Sequence, residues 1–76
     1  MAKHLVTGAC GFLGSEIVKK LSGLGEDVVS IDIFEDKEIS KISKFYQIDI
    51  SKSLEDHSHI FKDVKYVHHN AALIPI

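Results

Sequence analysis

Seventy-six residues, 45% hydrophobic and 26% charged, provide for one compact globular unit and exclude a complete two-domain enzyme. The formal net charge is −2 and all nine basic residues are lysines, so the basic surface and the arginine forks suited to nucleic acids or anionic membranes are missing. One cysteine, Cys10, rules out an internal disulfide, and Met1 to His4 precede only a short apolar stretch, so the expected setting is cytoplasmic, without signal peptide or membrane span.

Short apolar runs alternate with amphipathic stretches, the pattern of β-α-β units around a parallel sheet. His4 to Thr7 forms the first expected strand and leads straight into Gly8-Ala9-Cys10-Gly11. Leu13, Ile17, Leu21 and Leu24 then recur at spacings of four, four and three, which predicts a helix of about three turns with that stripe inward, closed by Gly23 and Gly25. Val28 to Ile33, β-branched and nearly uninterrupted, reads as a second strand covered on both faces. Glu35 to Lys44 is charged, with Ile39 and Ile42 three apart, and predicts a short, weakly packed helix or an irregular connection. Phe45 to Ile50 reads as a third strand. Ser53 then starts a helix with Leu54, Ile60 and Phe61 inward, and Val64 to Ala72 supplies a fourth strand. The chain stops on the apolar run Leu73 to Ile76, which predicts that it is an N-terminal piece of something longer.

Gly8, Gly11 and Gly14 stand three apart between the first strand and the first helix. A tight strand-to-helix turn needs a residue without a Cβ, a pyrophosphate needs close backbone approach, and the helix start offers free N–H groups and the positive end of its dipole. Position 10 is cysteine, so the spacing differs from G-x-G-x-x-G, and no Gly-Lys-Ser/Thr follows, which disfavours ATP or GTP hydrolysis. Three glycines also occur as plain turn chemistry. What turns the reading towards a dinucleotide is Asp32, 18 residues beyond Gly14 (32 minus 14) at the end of the second strand, where a carboxylate accepts from both adenosine ribose hydroxyls and repels a 2′-phosphate. NAD is therefore favoured over NADP, with Lys37 a lesser phosphate partner than an arginine would be.

The other chemistry-bearing residues read more plainly. His57 and His59 diverge on a helix, and His68 and His69 point to opposite sheet faces, so the five histidines are expected to be surface or packing residues rather than metal ligands. Cys10 sits in a helix-start loop whose positive potential would lower a thiol pKa, but it has no partner base and is expected to be a spacer. No Gly-x-Ser-x-Gly is present, which sets serine hydrolase chemistry aside.

Thr7-Gly8-Ala9-Cys10-Gly11-Phe12-Leu13-Gly14, Asp32, Asp49-Ile50 and His69-Asn70-Ala71-Ala72, in that order, make the sequence resemble the extended short-chain dehydrogenase/reductase family. More narrowly, it is similar to the NAD-dependent epimerase/dehydratase and 3β-hydroxysteroid dehydrogenase groups. The resemblance runs from the first strand to just past the fourth. It implies a Rossmann-like α/β fold, a parallel sheet with flanking helices in the order 3-2-1-4, with residues 1–76 as the N-terminal part of a single NAD(P)-binding domain. It also implies that Gly8, Gly11 and Gly14 form the pyrophosphate loop and that Phe12 and Leu13 donate backbone N–H groups to it. Asp32 would hold the adenosine ribose, Asp49 would accept from the adenine amino group, and Ile50 would pack on the ring. Ala71 and Ala72 would let the backbone approach the nicotinamide half, with His69 as a positioning residue.

The family's catalytic Ser or Thr and its Tyr-x-x-x-Lys pair have no match, since Ile50 and Asn70 stand four residues after Tyr46 and Tyr66. The expected parent is an NAD-dependent oxidoreductase, epimerase or dehydratase acting on a secondary alcohol such as a nucleotide sugar or a 3-hydroxysteroid-like or flavonoid-like compound. Its substrate would be bound mainly by later sequence, and a homodimeric parent is expected. The chain alone should be inactive. A non-catalytic NAD(P)-binding sensor or regulator is the second expectation, and a nucleotide-free α/β piece the third. With its last strand lacking a neighbour, the isolated piece is expected to aggregate or stay partly unfolded.

Overall fold

The computed structural model describes residues 2–49 and 55–70. In chain order these form β1 (Lys3–Thr7), α1 (Phe12–Gly23), β2 (Asp27–Asp32), α2 (Lys37–Ile42), β3 (Lys44–Gln47), a 3-10 helix (Glu55–Phe61) and β4 (Tyr66–His69). The strands make one parallel sheet in the order β3-β2-β1-β4, the topology expected from the sequence. Leu5 pairs with Val29 on one side and Val67 on the other, and Ile31 pairs with Tyr46.

Alternation along the central strands sends their side chains to two separate apolar layers. On one face Val6 and Val28 pack with Ala9, Val18 and Ile39, backed by Ile17, Leu21 and Phe45. On the other, Leu5, Val29 and Ile31 pack with Ile60 of the 3-10 helix, backed by Tyr46, Ile48, Phe61 and Val64. Ser30 is the polar exception at 0% exposure. Its hydroxyl donates to Ser43 Oγ at 2.7 Å, and that hydroxyl donates to the Ile39 carbonyl at 2.7 Å, so the buried oxygens are satisfied in series.

The inward face of α1 differs from the expected leucine stripe. Leu13 and Leu24 are 60% and 68% exposed, whereas Gly14 and Val18 are buried and Ile17 and Leu21 half-buried. The residues 14, 17, 18 and 21 are a helical face in their own right, and Gly14 sets it: without a Cβ there the helix comes closest to the loop after β1, which turns Leu13 and Leu24 to its margins. The helix ends where expected. Gly25 takes a left-handed φ of 79°, its N–H donates to the Ser22 carbonyl at 3.0 Å, and the Glu26 N–H donates to Leu21 at 3.0 Å, closing the last turn in a Schellman arrangement.

The charged segment after β2 is better anchored than its composition suggests. The Asp36 carboxylate caps α2 by accepting from the Glu38 and Ile39 N–H groups at 2.8 and 3.3 Å, and Ile39 is fully buried between α1 and the sheet while Ile42 lies at the surface. Asp36→Ala should therefore destabilise the chain by about 1 kcal/mol, read as a lower urea midpoint at unchanged slope. Strand limits also shift. β2 stops at Asp32, leaving Ile33 52% exposed, and β4 spans only Tyr66–His69 within the expected 64–72. β3 ends at Gln47, although the Ile48 N–H still reaches the Asp32 carbonyl at 3.0 Å. The expected helix start at Ser53 and Leu54 lies outside the described residues. From Glu55 the chain forms the 3-10 helix, in which Ile60 is buried and Phe61 half-buried, as expected.

Candidate functional site

The carboxyl ends of β1 and β2 meet at the glycine loop. Gly8 takes a left-handed φ of 63°, a conformation that favours glycine, and the Gly11 N–H returns to the Gly8 carbonyl at 3.1 Å to close the turn. The Ala9 N–H donates to Ile31 at 3.1 Å, which fastens the loop to β2. A Cβ built on Gly14 would stand 2.0 Å from the Gly8 carbonyl oxygen and 2.8 Å from its carbon, so the first turn of α1 lies directly on the loop. A Cβ on Gly11 would meet the same oxygen at 3.3 Å, a tight fit.

The start of α1 is left open to a ligand. Gly11 is its N-cap and supplies no side-chain cap, and no acid sits in the first turn. The amides of Phe12, Leu13 and Gly14 therefore keep the unpaired donors and positive dipole end of a helix start. Phe12 is 89% exposed, and Leu13, Ile33 and Phe34 are each more than half exposed, so large apolar side chains border this end of the sheet.

Asp32 does more than end β2. Its Oδ2 accepts the Cys10 N–H at 2.8 Å and its Oδ1 accepts the Phe34 N–H at 3.1 Å, so one carboxylate joins the glycine loop to the turn after β2. Two of its roughly four acceptor directions are thus used within the chain. The Cys10 thiol adds a second link, donating to the Phe34 carbonyl at 3.2 Å.

The position of Cys10 at a helix start does not lower its pKa. Burial pushes the thiol up to about 11, and the carboxylates of Asp32, Asp36 and Glu35 add to the rise. Iodoacetamide should consequently label Cys10 at about a hundredth of the rate of an ordinary thiol at pH 8, since only the thiolate attacks. Mass-spectrometric labelling kinetics on the folded chain would check this, and a rate within threefold of a free thiol would contradict the geometry.

Thr7 is a member of the site that residue-type reasoning passed over. It is 3% exposed, its Oγ1 lies 2.8 Å from Nδ1 of His69, and it accepts the Asn70 N–H at 3.0 Å. The pair fixes how β4 leaves the sheet beside the loop. Strand alternation and the pairing of Thr7 with His69 could have suggested it. Asp49 is exposed just beyond β3, on the β2 side of the loop. Ile50, Ala71 and Ala72 lie outside the described residues. The structure thus brings together Gly8, Gly11, Phe12, Leu13, Gly14 and Asp32.

The histidines divide as expected between faces: His68 pairs with His4, and His69 with Thr7. His59 is exposed and meets Tyr46 edge-on at 6.0 Å. Among the described residues no group of three or more His, Cys, Asp or Glu side chains could hold a metal ion, and no helix is long and apolar enough to cross a membrane.

A parallel sheet ordered 3-2-1-4, with a glycine loop and a helix start at the carboxyl end of its first strand, defines a Rossmann-like α/β unit. The chain belongs to the 3-beta hydroxysteroid dehydrogenase/isomerase family, whose pattern matches residues 5–76. A protein of Methanocaldococcus jannaschii assigned, by name, as a UDP-glucose 4-epimerase is 39% identical over 75 residues, covering 95% of this chain and 25% of the relative. The UDP-glucose 4-epimerase of Thermotoga maritima, solved with UDP-glucose, superposes with a TM-score of 0.79 at 35% identity over 92% of this chain and 24% of that one. MoeE5, solved with UDP-glucose and NAD, gives a TM-score of 0.80 at 31% identity over 99% of this chain and 24% of its own. The chain therefore spans about a quarter of the length of the relatives it matches. The resemblance to the NAD-dependent epimerase/dehydratase group of short-chain dehydrogenase/reductases is borne out.

Proposed function

We propose that this chain is the NAD-binding portion of an NAD-dependent epimerase or dehydratase that acts on a nucleotide sugar. The observation that carries the reading is the Asp32 carboxylate, held by the Cys10 and Phe34 amides beside an uncapped helix start and a loop that has no room for a Cβ at Gly14. The amides of Phe12, Leu13 and Gly14 would receive the pyrophosphate. The free acceptor directions of Asp32 would take the ribose hydroxyls, and the exposed Phe12, Leu13, Ile33 and Phe34 border the place where a base would lie. Asp49 and Ile50 would meet the adenine, and Ala71 and Ala72 the nicotinamide half, with Thr7 and His69 steering the chain towards them.

The same geometry favours NAD over NADP. Asp32, Glu35 and Asp36 surround Cys10 closely enough to raise its pKa, and that field repels a 2′-phosphate dianion. Bound NAD would supply a hydride acceptor for a secondary alcohol. The Ser or Thr and Tyr-x-x-x-Lys that would move the proton have no counterpart among these residues, so the chain binds and orients while proton transfer belongs to other sequence. A UDP-sugar is the favoured substrate because two relatives above 30% identity were solved with UDP-glucose.

Isothermal titration of the chain with NAD and with NADP tests the reading. NAD should bind at least tenfold more tightly than NADP. Heat from neither would remove the dinucleotide assignment, and tighter NADP binding would remove the role given to Asp32.

A further inference from the structure

β4 is the least covered strand. Tyr66 and Val67 are more than half exposed, and the strand pairs only with β1 among the described residues. Beyond that ladder, two imidazoles tie it to β1, one on each face of the sheet. On the face of Thr7, His69 is bound through a hydroxyl oxygen, which accepts from a ring N–H as readily as it donates to a bare ring nitrogen. That tie survives protonation.

The tie on the other face does not. Nδ1 of His4 and Nε2 of His68 lie 3.0 Å apart, so one nitrogen must carry the hydrogen and the other a lone pair. One added proton is accommodated. His4 is 11% exposed in its side chain, has Glu26 Oε2 at 4.0 Å from its outer nitrogen, and stacks on Tyr66 and His68 at centroid distances of 5.0 and 5.3 Å. Glu26 is itself held by the Ala2 N–H at 3.1 Å. Glu26 and Tyr66 are the titratable groups that the structure sets against the pair, while Lys3 alternates to the other face. A second proton removes the remaining lone pair and places two cations at hydrogen-bond distance.

We propose that the His4–His68 hydrogen bond is an acid-labile strap, holding β4 to β1 while at most one of the two rings is protonated and releasing the strand when both are. The released pair binds one proton more than the docked pair. Docking therefore strengthens as pH rises and weakens by up to about tenfold per pH unit on acidification through the imidazole range. β4 leads into Asn70, whose N–H donates to Thr7 Oγ1 at 3.0 Å beside the glycine loop, so release of the strand would loosen that contact as well.

Hydrogen exchange of the amides of residues 66–69 in the full chain, corrected for intrinsic rates and referenced to β2, would be measured near pH 7.5 and pH 5.5, together with the ring ¹⁵N shifts of all histidines. Protection of β4 should fall about tenfold relative to β2 on acidification. In His68→Gln the side-chain amide can donate or accept by turning over but cannot titrate, so β4 should stay protected at both pH values. His4→Phe keeps a ring in the stack without the bond, and β4 should be weakly protected at both. Equal protection of wild-type β4 at the two pH values, or a fall in His68→Gln as large as in the wild type, would overturn the strap. Should either variant fail to fold, the wild type decides: a ¹⁵N–¹⁵N hydrogen-bond coupling between the His4 and His68 rings at pH 7.5 that weakens at pH 5.5 supports the strap, and its absence at pH 7.5 or equal strength at both pH values refutes it.

Discussion

Replacing Gly14 by alanine is expected to cost the chain about 3 kcal/mol of stability and its dinucleotide binding together. The added Cβ would stand 2.0 Å from the Gly8 oxygen, 2.8 Å from the Gly8 carbon and 3.1 Å from the Ala9 Cα. All three are backbone atoms, so no side chain can rotate away. α1 must move off the loop by roughly an ångström to restore ordinary contact, which loosens Val18, Ile17 and Leu21 against the sheet and swings the Phe12 and Leu13 amides away from the position proposed for the pyrophosphate. Gly23→Ala is the matched comparison. Nothing lies within 4 Å of a Cβ there, so the change should be neutral or stabilise by up to about 1 kcal/mol by restricting the unfolded chain. Urea unfolding and NAD titration of both variants would decide the matter. A Gly14→Ala chain within about 0.5 kcal/mol of the parent, still binding NAD, would show that the helix does not rest on the loop.

The leucines of α1 show where the sequence was legible and where it was not. Periodicity locates the helix and its glycine-terminated end, because these depend on local backbone preferences. It misplaces the inward face because Leu13 and Leu24 are strongly apolar, while Gly14 contributes nothing to an apolar count and yet decides the helix's closest approach. β-α-β connectivity indicates a parallel sheet with right-handed crossovers, whereas the order 3-2-1-4 was legible only through the family resemblance. Ile39 is under-read for the opposite reason: its neighbours are charged, and only the third dimension shows that it fills the gap between α1 and the sheet.

The site divides along the same line. Gly8, Gly11, Gly14 and Asp32 come together because their spacing encodes a strand, a turn and a helix. The link from Asp32 to the Cys10 amide, the rise in the Cys10 pKa and the Thr7–His69 pair all join residues at least 22 apart, or depend on a sum of charges that no spacing rule contains. Cys10 is the plainest case. A helix start alone would lower its pKa, but the burial that raises it, and the smaller contributions of Asp32, Asp36 and Glu35, arise only after β2 has been laid beside β1.

The double use of Asp32 makes its removal the second large effect. Asp32→Ala takes the acceptor from the part-buried Cys10 N–H and from the Phe34 N–H, and would take two charge-assisted hydrogen bonds from the ribose. At about 1.5 kcal/mol each, the ligand bonds alone correspond to a loss of roughly a hundredfold in NAD affinity. Asp32→Asn separates the two roles. Its carbonyl oxygen can still accept from Cys10, so the loop should keep its stability, but the charge is gone and the NH₂ group cannot accept from Phe34 or a second hydroxyl. NAD binding should then weaken by about tenfold while NADP binding holds or improves, because the repulsion of the 2′-phosphate has eased. Paired titrations with both dinucleotides, alongside urea midpoints, distinguish a ligand from a brace. If Asp32→Asn lowered NAD and NADP affinity by the same factor, Asp32 would be bracing the loop without reading the ribose, and the preference for NAD would have to lie in Glu35 and Asp36.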